Sequence, residues 1–120
     1  MKDENSILYL ISTDDPEKQY APLILAQTAK MMDIKPIVYY LGKALRVLKQ
    51  GEAEKIKLKN FPSVAETIQK TLEMGIDIYV CEASKRMLGW DEVELISGVK
   101  IVGAATLNDL TLKAGSTLCF

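Results

Sequence analysis

Residues 76–84 read IDIYVCEAS, and this stretch decides the fold. Residues 76–81 are nearly continuous in Ile, Val and Tyr, which is typical of a parallel strand buried on both faces. Residues 82–88 then predict a helix, so Cys81 falls at the junction between strand and helix. A strand that runs directly into a helix is the building unit of an α/β protein.

Four other apolar runs predict strands and repeat this arrangement along the chain. They are residues 7–12, 35–41, 99–105 and 116–120. Helical segments separate the runs, and no repeat or linker divides the 120 residues. The alternation predicts an α/β fold, a three-layer α/β/α sandwich with a mainly parallel five-stranded sheet, as a single domain over residues 1–120. The order of the strands in the sheet is not specified by one sequence.

Capping signals indicate where several helices begin and end. Asp15, which precedes a proline, predicts one helix start, and two capping boxes open at Ser63 and Thr106. Gly75 and Gly115 are expected to end the helices that follow those boxes. The first helix is expected to bury an apolar stripe formed by Tyr20, Leu23, Ile24, Leu25, Ala26 and Met31.

The segment 51–62 interrupts the alternation of strands and helices. Within it, residues 55–59 read KIKLK and alternate charged and apolar side chains with a period of two. This pattern favours a short edge strand or hairpin arm protected by lysines. The alternative is a mobile basic flap over a site that binds an anionic ligand.

Composition narrows the chemistry that this chain can perform. The sequence has no histidine and two cysteines. The absence of histidine excludes Ser-His-Asp and Cys-His triads as well as imidazole metal ligands. Two cysteines are too few for a four-cysteine zinc site or a disulfide-dense secreted scaffold. Any chemistry must therefore use thiols, carboxylates, lysines, hydroxyls or backbone amides.

Charge and hydropathy bear on the partners and the compartment. Lys and Arg number 15 and Asp and Glu number 16, and the resulting net charge of −1 argues against nucleic-acid binding, which usually leaves a basic footprint. The apolar run 7–11 is too short for the core of a signal peptide, and no stretch approaches the roughly 20 apolar residues of a membrane span. We therefore expect a cytoplasmic protein with reduced thiols, without nucleic-acid or membrane partners.

The carboxyl ends of the predicted strands indicate where a ligand would bind. In open parallel sheets, ligands bind outside these ends. The residues that follow the strands, and are therefore candidates for binding, are Ser12, Thr13, Asp14, Gly42, Lys43, Glu82, Ala83, Ser84 and Thr106. Asp14 and Asp15 are a potential magnesium pair, but helix capping already accounts for Asp15, so we predict no metal site.

Cys81 is the most informative residue of this edge. A thiol at the start of a helix faces backbone N–H groups and the positive end of the helix dipole, and both favour the nucleophilic thiolate. Lys85 and Arg86, one turn further on, are expected to support this effect, whereas Glu82 opposes it. The alternative is a buried structural thiol, since cysteine is among the most buried residue types.

Cys119 is a weaker candidate for chemistry. Its predicted strand is short and terminal, which favours an apolar packing role. It could also serve as an accessory thiol to Cys81. If its strand lay two positions from that of Cys81, the separation would be about 10 Å, beyond the roughly 7 Å limit for a disulfide.

Four segments of the chain resemble the DsrE/DsrF-like family of small sulfur-relay α/β proteins. They are residues 12–17 (STDDPE) after the first strand, residues 38–42 (VYYLG), residues 78–84 (IYVCEAS) followed by Gly89, and residues 103–106 (GAAT) before the last helix and strand. The resemblance covers nearly the whole length, and its most specific part is the segment that contains Cys81.

The resemblance implies a function for Cys81. Members of this family carry sulfane sulfur as a cysteine persulfide, receive it from one thiol and pass it to another, without a cofactor. It also implies a homo-oligomer, a trimer or hexamer, or a complex with paralogues, together with donor and acceptor proteins. Two alternatives remain open: a non-catalytic homo-oligomeric module that binds a small ligand, and a thiol redox sensor. Whether the protein is an enzyme, such as a sulfurtransferase, is left undecided.

Overall fold

The structure is a computed structural model that describes residues 3–120, with side chains from residue 5 onward. Within those residues it contains a sheet of five strands, flanked by helices on both sides. The strands are β1 (Asp3–Ile11), β2 (Lys35–Tyr40), β3 (Asp77–Cys81), β4 (Lys100–Val102) and β5 (Ala114–Cys119). The α-helices are α1 (Tyr20–Met31), α2 (Leu45–Leu48), α3 (Val64–Glu73), α4 (Glu82–Met87) and α5 (Ala104–Lys113). The predicted α/β sandwich is confirmed.

The strand order in the sheet is β4-β3-β2-β1-β5, and every neighbouring pair is parallel. The chain adds β2, β3 and β4 on one side of β1 and then returns through α5 to place β5 on the other side. Because all strands point the same way, their carboxyl ends lie at a single edge of the sheet. The predicted binding residues follow those ends.

The first face of the sheet is defined here by Tyr9, Val38, Tyr40, Ile78 and Val80. All five side chains are buried, and they pack against apolar residues of α1, α2 and α3 in the larger of the two cores. The nearly continuous apolar run of β2 is explained by this arrangement, since its residues are buried on both sides of the sheet from position 36 onward.

The second face carries the smaller core and is more thinly covered. Leu8, Ile37, Tyr39 and Cys81 are buried here, and α5, which packs on β1 and β5, contributes Leu107 and Leu110 to the same cluster. Every residue of α5 stays at least partly exposed. On the second face, α5 therefore buries two leucines only in part and none of its residues completely.

Of the three predicted helix starts, one is confirmed, one is partly correct and one is wrong. Ser63 Oγ accepts a hydrogen bond from the N–H of Glu66 at 3.2 Å, and Asp15 caps a 3-10 turn that precedes α1. Thr106 does not open the last helix, because α5 starts at Ala104 and the N–H of Thr106 donates to the carbonyl of Gly103.

The predicted ends of two helices have different outcomes. Gly75 follows α3 with a φ of +80°, a left-handed conformation that glycine adopts without strain. Gly115 lies inside β5, where its N–H donates to Ser6 Oγ at 3.1 Å, so the prediction that it ends α5 is wrong. The helix passes directly into the strand at Ala114.

The predicted inward stripe of α1 is half correct. Tyr20, Leu23 and Ala26 are buried, but Ile24, Leu25 and Met31 are exposed. The other buried members of the helix are Pro22 and Ala29. Small residues spaced by three and four positions face the sheet, since they let the helix approach it closely.

The segment 51–62 does not form the predicted edge strand or hairpin arm. It contains a 3-10 turn at Ala53–Lys55 and then an irregular path. The hydroxyl of Tyr20 donates to the carbonyl of Pro62 at 2.8 Å and accepts from the N–H of Leu58 at 3.2 Å. Because the Tyr20 side chain supplies hydrogen bonds to these backbone groups, they do not require a partner strand.

Candidate functional site

Cys81 is the last residue of β3 and immediately precedes α4. Its side chain faces the second face of the sheet, and the residue is only 3% exposed. The predicted position at a strand-to-helix junction is therefore correct. The residue is also covered, which the sequence did not distinguish from an open site.

Two of the predicted residues, Gly42 and Ser84, meet beside Cys81. Gly42 has a φ of +61°, and its N–H donates to Ser84 Oγ at 2.7 Å. Ser84 is buried. Because its oxygen accepts from Gly42, its hydroxyl hydrogen is free to be directed at the thiol of Cys81, with which it interacts. The loop after β2 thus orients a hydroxyl that can donate a hydrogen bond to the cysteine at the end of β3.

The surroundings of Cys81 favour its anionic form. Burial raises the pKa of the thiol, but this effect is outweighed by the Ser84 hydroxyl, the Ser84 N–H, the Tyr39 hydroxyl and the Ala83 N–H, so the pKa is lowered. The side chain forms no standard capping hydrogen bond to α4, so the N–H groups act as nearby dipoles. The net result is a larger thiolate fraction near neutral pH than an ordinary cysteine would have.

The charged side chains near Cys81 do not act on it as predicted. Arg86 pairs with Glu82 at 3.3 Å along the outer side of α4. Lys85 Nζ donates to the carbonyl of Asp91 at 3.4 Å. None of the three contributes to the pKa of Cys81. The lowered pKa comes from hydroxyl and amide groups, and the expectation of help from Lys85 and Arg86 is wrong.

Tyr39 belongs to the site, although the sequence did not point to it. The residue is completely buried, and its hydroxyl forms no standard hydrogen bond within the part of the chain that the structure describes. Burial raises the pKa of Tyr39, and the neighbouring Cys81 raises it further. The hydroxyl therefore faces the thiol, although the contact falls short of standard hydrogen-bond geometry.

The remaining predicted residues lie along the same edge but do not join Cys81 in one pocket. Asp14 pairs with Lys43 at 3.8 Å and with Arg46 at 3.4 Å. Ser12 Oγ donates to the carbonyl of Phe120 at 3.1 Å. The carbonyl of Thr13 accepts from a glutamine side chain at 2.8 Å. These contacts tie the loops after β1, β2 and β5 together.

Cys119 occupies an environment unlike that of Cys81. It lies on the edge strand β5 and is exposed, so the expectation of a packing role is wrong. Three strand spacings separate β5 from β3, which is about 14 Å at roughly 4.8 Å per spacing. The two thiols of one chain are therefore too far apart to form a disulfide in this fold.

The described residues contain neither a metal-binding cluster of acidic and thiol side chains nor a membrane-spanning helix. Across residues 3–120, no group of three or more Cys, Asp or Glu side chains is arranged to hold a metal ion. Asp14 is engaged with two cations and Asp15 caps a turn, so the pair does not converge. No helix within the described residues is long and apolar enough to cross a membrane.

Comparison with known proteins gives a family match and two structural neighbours. Residues 5–120 match the DsrE/DsrF-like family. An uncharacterized protein of Methanocaldococcus jannaschii, MJ0760, is 33% identical over 104 residues. That alignment covers 87% of this chain and 38% of the relative, so the chain spans well under half the length of MJ0760.

Two solved structures share the fold. The YchN protein of E. coli superimposes with a TM-score of 0.75 at 15% identity, covering 100% of both chains. MTH1491 of Methanobacterium thermoautotrophicum, a protein of unknown function, superimposes with a TM-score of 0.67 at 17% identity, covering 96% of this chain and 98% of that one. At these identities the likeness shows the fold alone.

Proposed function

The chain belongs to the DsrE/DsrF-like family, and from this premise we propose that it carries sulfane sulfur as a persulfide on Cys81 and passes it to an acceptor thiol. The observation that carries the proposal is the position of Cys81 at the end of β3, where the buried Ser84 hydroxyl, held by the N–H of Gly42, and nearby amide groups lower the pKa of the thiol despite burial. A thiolate is the form of cysteine that attacks sulfur.

The proposed reaction consists of two thiol exchanges. In the first, the Cys81 thiolate attacks the outer sulfur of a donor persulfide, RS–SH. The donor S–S bond breaks, its electron pair leaves on the donor thiolate RS⁻, and Cys81 becomes Cys81–S–SH. In the second, an acceptor thiolate attacks the outer sulfur, takes it as a new persulfide and regenerates the Cys81 thiolate. Atoms and charge balance in each step, and no external oxidant or reductant is needed.

The burial of Cys81 sets a condition on both exchanges. At 3% exposure, the sulfur must become accessible before a donor or an acceptor can reach it. The helix on the second face is α5, which packs on β1 and β5 and has no fully buried residue. Elements with few buried contacts open locally at low free-energy cost. We therefore assign the opening to α5.

The proposal extends to partners and compartment. The donor and the acceptor would be proteins or small molecules that present a persulfide or a thiol. A homo-oligomer, either a trimer or a hexamer, or a complex with paralogues would bring such partners to Cys81. The chemistry requires reduced thiols, which accords with a cytoplasmic location.

The test compares two single-cysteine variants. Cys81→Ser and Cys119→Ser are each incubated with glutathione persulfide, freed of reagent and weighed by intact-protein mass spectrometry. We expect the Cys119→Ser protein to gain the mass of one sulfur atom and to release it to added thiol. We expect the Cys81→Ser protein to gain none. Sulfur uptake by the Cys81→Ser protein alone, or by neither variant, would overturn the proposal.

A further inference from the structure

Tyr39 and Tyr40 are adjacent, completely buried tyrosines whose hydroxyls make no standard hydrogen bond among the residues described. A buried hydroxyl without a partner is costly and calls for an explanation. The two differ in what they face. Tyr40 belongs to the core of the first face, whereas Tyr39 belongs to the core that contains Cys81.

The register of the sheet brings Tyr39 to the thiol. Tyr39 of β2 is paired with Tyr79 of β3, and Cys81 lies two residues beyond Tyr79 on the same face. Tyr39 and Cys81 are thus diagonal neighbours on adjacent strands, a separation that an aromatic side chain spans. Their mutual influence on ionisation agrees with this placement.

We propose that the Tyr39 hydroxyl is the binding group for the outer sulfur of the Cys81 persulfide. This inference rests on the proposed function and adds to it a subsite for the transferred atom. The Ser84 hydroxyl, held by Gly42, already interacts with the Cys81 thiol, and we assign it to the inner sulfur. The two hydroxyls then act on different sulfur atoms of one group.

The chemistry of the persulfide accounts for the unpartnered hydroxyl. Addition of sulfur lengthens the Cys81 side chain by one S–S bond, about 2 Å. A persulfide is a stronger acid than its parent thiol, so the loaded group releases a proton to solvent and its outer sulfur accepts hydrogen bonds as an anion. The outer sulfur takes up a proton again before the acceptor thiolate attacks it. A hydroxyl that donates to an anion in apolar surroundings forms a strong hydrogen bond. The partner that Tyr39 lacks is therefore supplied when sulfur is loaded.

The test measures how firmly each variant holds the sulfur. Wild type, Tyr39→Phe and Tyr40→Phe are equilibrated with a mixture of glutathione and glutathione persulfide, and the loaded fraction of Cys81 is read by peptide mass spectrometry. The pH at which the loaded persulfide ionises is followed by its near-ultraviolet absorbance. Tyr40→Phe is the matched control, because it removes a buried unpartnered hydroxyl from the opposite face.

We expect Tyr39→Phe to lower the equilibrium constant for loading by about ten-fold, the factor that corresponds to ~1.4 kcal/mol. It should also raise the pH at which the persulfide ionises, while Tyr40→Phe should match wild type in both measurements. Equal loading and equal ionisation in the two variants would overturn the subsite and leave the proposed function standing. Failure of Cys81 to load in all three proteins would overturn both.

Discussion

Cys81 and Cys119 stand at the same edge of the sheet and on the same face, yet their surroundings differ. Cys81 ends an inner strand, is 3% exposed and faces two hydroxyls and two amide groups. Cys119 ends the edge strand β5 and is exposed. The difference shows that the neighbouring strand and the following helix, rather than the thiol itself, determine the burial and the polar groups around a cysteine.

The largest expected effect is on labelling by a bulky reagent. Under native conditions, a polyethylene-glycol maleimide should modify Cys81 at least roughly 100-fold more slowly than Cys119, because an opening step that costs ~2.8 kcal/mol must precede the reaction at Cys81. Mass spectrometry of peptides taken over time gives both rates. Similar rates for the two thiols in the folded protein would contradict the difference in accessibility between Cys81 and Cys119.

A second prediction concerns α5, to which we assign the opening that exposes Cys81. Leu107→Ala removes a partly buried contact from α5, so we expect Cys81 to be labelled about ten-fold faster, as a loss of ~1.4 kcal/mol of packing would allow. Leu112→Ala is the matched control, since Leu112 lies on the same helix and is 73% exposed. Equal acceleration by both substitutions would argue against this assignment to α5.

A third prediction isolates the Ser84 hydroxyl. Ser84→Ala should raise the pKa of Cys81, because the substitution removes the strongest of the groups that lower it. The pH profile of alkylation by iodoacetamide should shift upward, with a roughly ten-fold slower reaction at neutral pH, as the loss of a hydrogen bond of ~1.5 kcal/mol to an anion implies. Ser116→Ala, at an exposed serine of β5, provides the control. An unshifted profile would show that the Ser84 hydroxyl does not lower the pKa of Cys81.

The smallest expected effect is on stability against pH. A thiol whose pKa is lowered by folding binds fewer protons when folded, so its stabilising contribution is present above the ordinary pKa of 9.0 and is lost as pH falls through the folded pKa. Urea unfolding in the presence of reductant should therefore show wild type gaining free energy of unfolding relative to Cys81→Ser as pH rises from below the folded pKa of Cys81 toward 9.0.

Two features of the pH experiment keep it interpretable. Measurements stay below pH 10, because burial raises the pKa of Tyr9, Tyr39 and Tyr40, and the stability that comes from these neutral tyrosines is lost above their ordinary value of 10.0. Cys119→Ser, which leaves Cys81 in place, is the control for the loss of a thiol as such. A constant difference between wild type and Cys81→Ser would contradict the lowered pKa.

Much of the fold could be predicted from local patterns in the sequence. The five strands follow from apolar runs, and the start of α3 follows from the capping serine at position 63. The wrong predictions arise where tertiary contacts override a local signal. Residues 55–59 alternate as a strand does. The Tyr20 hydroxyl, however, forms hydrogen bonds with the backbone of Leu58 and Pro62, and the segment follows an irregular path.

The candidate site was predictable only in part for a similar reason. Cys81 and Ser84 could be inferred because they lie in one strand-to-helix segment. Tyr39 could not, since its place beside Cys81 depends on the pairing of β2 with β3, which no local pattern specifies. The same holds for Cys119, whose distance from Cys81 depends on the strand order.

The most direct test lets the two cysteines of one wild-type chain compete for sulfur. The protein is treated with less than one equivalent of glutathione persulfide and digested with trypsin, which separates Cys81 in residues 71–85 from Cys119 in residues 114–120. We predict that the added sulfur atom is found on the peptide of Cys81. Sulfur found mainly on the peptide of Cys119 would contradict the account.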